Sequence, residues 1–95
     1  MQIREFQEMM RELYFHRDSA RGIEETFSWL IDEVVELSDA LDKGDRKETE
    51  KEFADVFAWL ASLANIAGVD LENAALEKYP NKCPKCMHAP CKCKF

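Results

Sequence analysis

The sequence predicts an all-α protein. Before Pro80, apolar side chains recur at helical spacing along almost the whole chain, and no stretch shows the alternation of polar and apolar residues that marks a strand. Only 3 Gly and 3 Pro interrupt the 95 residues, so breaks between elements are few. This length supports one domain, which we assign to residues 1–80, followed by a cysteine-rich tail at residues 81–95.

Two helices are expected in the first half of the domain. Helix one covers roughly residues 3–16, and the polar residues 16–22 are expected to form a connection. Helix two follows to about Asp42, and Gly44 suits the position just past a helix end. The apolar stripes of the two helices are Ile3, Phe6, Met10 and Leu13, then Phe27, Leu30, Val34, Leu37 and Leu41.

Two more helices are expected in the second half. Asp45 with Glu48 has the spacing of a capping box and would start helix three, which ends near Gly68. Asp70 can cap a short helix four that Pro80 stops. Because short connections make sequential helices antiparallel neighbours, helices two and three should form a hairpin. The helix-three stripe is Phe53, Val56, Leu60, Leu63 and Ala67.

The charge of the chain is unevenly distributed. There are 13 basic and 19 acidic side chains, a net charge of −6. From Pro80 onward the chain has four Lys and no acid, so residues 1–79 carry a net charge of −10. An acidic surface repels nucleic acid and bare phosphates, which argues against a nucleic-acid partner unless cations bridge the two.

We expect the protein in the cytoplasm, with no membrane partner. Charged residues break the apolar runs every few positions, so no stretch of about 20 residues suits a membrane span. The acidic, amphipathic start resembles neither a secretory signal nor a transit peptide.

All four cysteines lie in the tail, as Cys83-x-x-Cys86 and Cys91-x-Cys93. In a reducing compartment, thiolates this close together usually share a metal, and two such pairs complete a tetrahedral sulfur site for Zn²⁺. His88 could replace one sulfur, but four cysteines already fill the shell. We therefore expect a short structural zinc knuckle; a redox pair and free thiols are the alternatives.

Carboxylates recur at a spacing of three on helices two and three, as Glu33 and Glu36 and then Glu52 and Asp55. Residues three apart are neighbours on a helix surface. If the hairpin turns at Gly44, Glu36 faces Glu52, Glu33 faces Asp55, and all four lie on the same flank. Oxygen ligands of this kind suit Mg²⁺ or Mn²⁺. The alternative is an ordinary solvated acidic face.

The same register pairs Trp29 with Trp59, one helical turn beyond the carboxylates. Two indoles beside a metal site could hold a nucleobase by stacking. Packing in the core or in a subunit interface is the alternative for this pair.

The two acidic motifs resemble those of the MazG nucleotide pyrophosphohydrolases, which are similar to the all-α dimeric dUTPases. The family signature, EExxE followed by ExxD, corresponds to Asp32-Glu33-x-x-Glu36 and Glu52-x-x-Asp55, and the resemblance covers roughly residues 20–82. It implies Mg²⁺ ligands at Glu33, Glu36, Glu52 and Asp55. It also implies hydrolysis of nucleoside triphosphates to a monophosphate and pyrophosphate, in many members to clear unwanted nucleotides.

Two positions depart from the family pattern. Asp32 replaces the usual Glu, which puts an outer contact to metal or water in doubt, and Val35 replaces a common Gly. Either Asp32 or Glu33 could take a proton from the attacking water. For the substrate phosphates, the family tends to carry a Lys at the position of Lys78. The other candidate substrate contacts are Asn81, Arg17 and Arg21.

A second apolar edge on helices two and three predicts an oligomer. Ile31 and Val35 lie off the main stripe of helix two, as do Trp59 and Ile66 on helix three. A partner subunit would cover these edges in a four-helix-type bundle, as a homodimer or homotetramer. The alternative to an enzyme is a dimeric binding module whose basic zinc tail docks a protein or nucleic-acid partner.

Overall fold

The computed structural model describes residues 1–94, and this part of the chain is all-helical, as predicted. Its helices are α1 (Ile3–Arg21), α2 (Ile23–Lys43), α3 (Arg46–Ala67) and α4 (Leu71–Lys78). The short turn between α2 and α3 makes them an antiparallel hairpin. The α1 helix packs mainly along α3, and α4 contacts α1.

The first helix is longer than the sequence predicted. The expected connection at residues 16–22 is wrong, because α1 continues to Arg21 and the only break before α2 is Gly22. The Asp18 carboxylate pairs with the Arg21 guanidinium at 2.8 Å, one turn along the same helix, so these polar residues support helical structure. Gly22 has φ 90°, a value that favours glycine, and its N–H donates to the Asp18 carbonyl.

The other predicted helix ends are confirmed. Gly44 and Gly68 both adopt left-handed conformations just past α2 and α3. The Asp45 carboxylate accepts from the Glu48 N–H at 3.2 Å, and Asp70 caps α4 in the same way. The capping box at Asp45 is only half formed, because the Glu48 carboxylate lies 3.5 Å from the Lys51 ammonium instead.

The core of the described chain is small. Its buried apolar side chains are Met10, Leu30, Ala40, Ala61 and Ala64. Most of the helix-two stripe lies outside this core, and Phe27 and Leu41 are 51% and 55% exposed. The reason is that α1 covers one side of the hairpin, whereas no other element of residues 1–94 covers the opposite side.

A buried amide pair fixes α1 against the end of α3. The Gln7 side-chain amide donates to the Asn65 Oδ1 at 3.0 Å and to the Val69 carbonyl at 2.7 Å. Its Oε1 accepts from the Leu71 N–H at 2.9 Å. Because these bonds join three helices, they set where the first half of α1 lies along α3.

Within the described chain, no single helix is long and apolar enough to cross a membrane. Taken together, α3 and α4 are long and apolar enough by length and composition, but the chain bends by 96° between them.

Candidate functional site

Three carboxylates converge on one flank of the α2–α3 hairpin. One oxygen from each of Glu33, Glu36 and Glu52 lies within 4.8 Å of the others, and we call these residues the carboxylate cluster. Glu33 and Glu36 are one turn apart on α2, and the turn at Gly44 brings Glu52 of α3 opposite Glu36. The predicted register therefore agrees with the structure. Carboxylate oxygens at this separation can share one divalent cation.

Burial and mutual repulsion disfavour negative charge in the carboxylate cluster. Burial, followed by the hydrogen bond to Glu36, raises the pKa of Glu33 to about 7. Burial, followed by the charge of Glu36, also raises the pKa of Glu52. One oxygen of Glu33 and one of Glu52 are buried without a hydrogen-bond partner. A cation bound among these carboxylates would relieve the repulsion.

The other two acidic candidates lie outside the carboxylate cluster. Asp55 follows Glu52 by one turn, and its negative charge contributes to the raised pKa values of Glu33 and Glu52. Its charge therefore acts on the carboxylate cluster, although Asp55 does not belong to the group whose oxygens lie within 4.8 Å of one another. Asp32 is exposed on α2.

The two tryptophans lie against each other, as the register predicted. The rings of Trp29 and Trp59 are stacked with centroids 5.7 Å apart and planes 13° from parallel. The Arg21 guanidinium lies over the Trp59 ring, 4.9 Å from its centroid. A base inserted between two rings needs about 7 Å of separation, twice the usual stacking distance. This pair is thus closed, and a base would have to contact another surface.

Next to Asp55 the structure contains a cavity of about 310 Å³ between α1 and α3, the α1–α3 cavity. Three of the predicted substrate contacts, Arg17, Arg21 and Trp59, lie in its wall. The complete lining is Met10, Tyr14, Arg17, Asp18, Arg21, Asp55, Ala58, Trp59 and Ser62.

Sequence reasoning missed three polar residues of this cavity, Tyr14, Asp18 and Ser62. Asp18 was assigned to a connection, although Tyr14, Asp18 and Arg21 recur at the three- and four-residue spacing of one helix face. That spacing was the available signal. The sequence contains no such signal for Ser62, because a single serine in an apolar helix has no distinctive spacing.

Two further predicted substrate contacts lie elsewhere. Lys78 is the last residue of α4 and its side chain is exposed. Asn81 follows in the tail with φ 64° and is also exposed. Neither lines the α1–α3 cavity, and neither belongs to the carboxylate cluster.

The four cysteines converge in the tail. The sulfurs of Cys83, Cys86, Cys91 and Cys93 lie within 4.8 Å of one another, and we call them the cysteine cluster. The N–H of Lys92 donates to the Cys86 sulfur at 3.3 Å. Backbone N–H groups of Cys86 and Lys85 lower the pKa of the Cys83 thiol to about 6. Four sulfurs in this arrangement, one with thiolate character, could hold a metal ion tetrahedrally.

A family-level comparison agrees with these geometric features. Residues 21–87 match the family described as the MazG nucleotide pyrophosphohydrolase domain, and this range includes α2, α3, α4 and the first two cysteines. No curated protein matches the chain. Because the match spans well over half of the sequence and contains the carboxylate cluster, the chain belongs to the MazG nucleotide pyrophosphohydrolase family.

Proposed function

We propose that this protein is a Mg²⁺- or Mn²⁺-dependent hydrolase that converts nucleoside triphosphates to monophosphates and pyrophosphate. The observation that carries the proposal is the carboxylate cluster, with buried, unpartnered oxygens on Glu33 and Glu52. A solvated acidic face would keep its carboxylates apart and hydrated, whereas these are held together at a cost in repulsion.

The metal ligands would be the carboxylate cluster together with Asp55. Glu33 and Glu36 approach the ion from α2, while Glu52 and Asp55 approach it from α3. Bound divalent cations supply charge neutralisation of the triphosphate and a more acidic water. Because the ligands come from two packed helices, the protein holds their separation before any ion binds.

A carboxylate at or next to the proposed metal site would remove the proton from the attacking water. Glu33 lies inside the cluster, and Asp32 precedes it on the exposed side of α2. Only a carboxylate with a free lone pair can accept the proton. We keep both residues as the candidates for this role.

The substrate phosphates would be bound between the ions and positive side chains. Arg17 and Arg21 lie in the wall of the cavity that Asp55 also lines, so they are candidate cations for the phosphates. Arg21 is held by Asp18 and covers Trp59. Lys78 and Asn81 would contact the same substrate only from another subunit or after movement of α4.

A structural zinc ion in the cysteine cluster is a separate part of the proposal. Four thiolates leave no open coordination position, so this ion would organise the tail without taking part in hydrolysis. Reduced cysteines and nucleotide substrates both fit a cytoplasmic protein, and removal of unwanted nucleotides is the role that we propose.

The protein would act as a dimer or as a pair of dimers. Phe27, Leu41 and Phe53 form part of an apolar surface that the single chain leaves more than half exposed. We expect a dimeric or tetrameric mass in multi-angle light scattering. Leu41→Glu should lower that mass, whereas Leu76→Glu, a change at an exposed leucine of α4, should not. A folded, active monomer at micromolar concentration would contradict the assembly.

Phosphorus NMR of a panel of nucleoside triphosphates with the purified protein tests the proposed reaction. We expect pyrophosphate and the monophosphate to appear together, only when Mg²⁺ or Mn²⁺ is present. Release of orthophosphate, or no product from any triphosphate with either ion, would reject the function.

A further inference from the structure

The α1–α3 cavity has the size and composition of a small-molecule site. Its volume of about 310 Å³ lies at the lower end of the range for ligand pockets. Tyr14, Ala58 and Trp59 give it aromatic and apolar walls, and Asp18 and Ser62 give it polar groups. Because Asp55 lines one part of the same cavity, a ligand there would lie beside the proposed metal site.

Asp18 is the unusual group in this wall. Its side chain is only 3% exposed, and one oxygen accepts from Arg21 at 2.8 Å. The other oxygen is buried and has no hydrogen-bond partner within the described chain. An unsatisfied buried carboxylate oxygen destabilises the folded protein, so such a group in a cavity wall calls for a ligand that donates to it.

The position of Asp18 is fixed before any ligand binds. The Arg21 guanidinium that pairs with it also donates to the Thr26 hydroxyl at 3.3 Å and lies over Trp59. Thr26 is completely buried at the start of α2. These contacts leave the carboxylate little freedom to turn towards another partner.

We infer that the α1–α3 cavity holds the nucleobase and that Asp18 selects bases with an exocyclic amino group. The inference rests on the proposed function, which sets the triphosphate at the carboxylate cluster and Asp55. Cytosine, adenine and guanine carry an amino N–H that can donate to the free Asp18 oxygen. Uracil, thymine and hypoxanthine present only ring N–H groups beside carbonyl oxygens, and those oxygens repel a carboxylate. A site built around a hydrogen bond discriminates strongly against a ligand that cannot form it.

Matched nucleotide pairs test the selection directly. The probes are α,β-imido triphosphates, which the protein cannot cleave at that bond, measured by calorimetry with the full chain and Mg²⁺. The guanine and hypoxanthine analogues differ only in one amino group, and the cytosine and uracil analogues provide a second pair. We expect the amino member of each pair to bind at least about tenfold more tightly. Equal binding, or tighter binding of the carbonyl member, overturns the inference.

Asp18→Asn tests the residue. The amide can offer N–H donors where the carboxylate only accepts, so the preference should shrink or reverse towards uracil and hypoxanthine. Glu12→Gln makes the same chemical change at an exposed position of α1 and should leave the preference intact. If folded Asp18→Asn protein keeps the original preference, Asp18 is not the selecting residue.

Ala58→Leu tests the cavity independently of Asp18, and it does so even if Asp18→Asn fails to fold. The larger side chain should fill the space for the base, so nucleotide analogues should bind no better than inorganic triphosphate. Binding of inorganic triphosphate itself should stay unchanged. If this variant binds the analogues as tightly as the original protein does, the base does not occupy this cavity.

Pyrophosphate release separates this inference from the proposed function. If the protein releases pyrophosphate from every triphosphate but binds bases with and without an amino group equally well, the proposed function stands and the inference is overturned. A protein that binds the analogues with the expected preference but releases no pyrophosphate retains the nucleobase site and overturns the proposed function.

Discussion

Two regions of this molecule gather possible metal ligands, and they do so by opposite means. The carboxylate cluster stands on α2 and α3, whose packing and capped ends hold Glu33, Glu36 and Glu52 in place. The cysteine cluster stands on residues 83–93, which contain no helix or strand in the described chain. The first site should therefore persist without its ion, whereas the second should need its ion to fold.

The two regions also differ in the chemistry that their ligands permit. Carboxylates favour hard cations that exchange and can keep water or substrate in their coordination shell. Four sulfurs enclose a zinc ion and leave no place for a substrate. We therefore propose that turnover takes place at the helical hairpin and that the cysteine cluster has a structural role.

The largest expected effect is on turnover, from Glu52→Gln. The change keeps the side-chain volume but removes the charge of a proposed metal ligand, so the rate of pyrophosphate release should fall by about 100-fold or more. Steady-state kinetics with saturating Mg²⁺ measure it. Glu50→Gln is the matched control, since Glu50 is exposed on α3 and pairs weakly with Arg46 at 3.8 Å. Equal activities of the two variants would remove the carboxylate cluster from the mechanism.

The second prediction concerns the cysteine cluster. Loss of its zinc ion should disorder the tail but leave turnover almost unchanged. Cys83→Ser or Cys91→Ser should lose bound zinc and make residues 81–95 susceptible to proteolysis, because three sulfurs hold the ion poorly. Elemental analysis and limited digestion measure these losses. A fall in pyrophosphate release as large as that of Glu52→Gln, with the helices intact by circular dichroism, would show that the tail completes the active site.

A smaller, graded effect is expected from pH. Glu33 has a pKa of about 7 in the metal-free protein, raised mainly by burial, so it must release a proton before it binds a cation. Below that pH, Mn²⁺ affinity should weaken by about tenfold per unit for each proton displaced. Calorimetric titrations between about pH 5.5 and about pH 8, which bracket the pKa, measure the trend. An affinity that does not change with pH would contradict the raised pKa of Glu33.

The raised pKa of Glu33 also makes the free energy of unfolding depend on pH. The folded protein binds the Glu33 proton more tightly than the unfolded chain, where the pKa is about 4.5. Metal-free protein should therefore lose stability from this group as the pH rises from 4.5 through about 7. A bound cation should reverse that loss, because it replaces the proton.

Sequence patterns predicted the hairpin and its register well. The αL glycine at Gly44 and the cap at Asp45 set the turn, and helical spacing then determines which residues face each other. That is why the contact between Trp29 and Trp59, and the closeness of Glu36 and Glu52, could be predicted from numbering alone.

The position of α1 and the cavity beside it could not be predicted in this way. They depend on the buried hydrogen bonds between Gln7 and Asn65, which are 58 residues apart in sequence. Residues 16–22 were assigned to a connection because they are largely polar and end at Gly22, whereas in the structure Asp18 pairs with Arg21 inside the helix. Long-range packing of polar groups leaves no periodic signal.

Thermal unfolding of the zinc-saturated protein, with and without Mn²⁺, tests most directly whether the carboxylate cluster is a metal site. We predict that Mn²⁺ raises the Tm of the original protein and of Glu50→Gln. Without Mn²⁺, Glu52→Gln should be at least as stable as the original protein, because repulsion with Glu36 is removed, yet it should lose most of the rise with Mn²⁺. A Tm that Mn²⁺ leaves unchanged in the original protein, or raises equally in Glu52→Gln, would contradict the account.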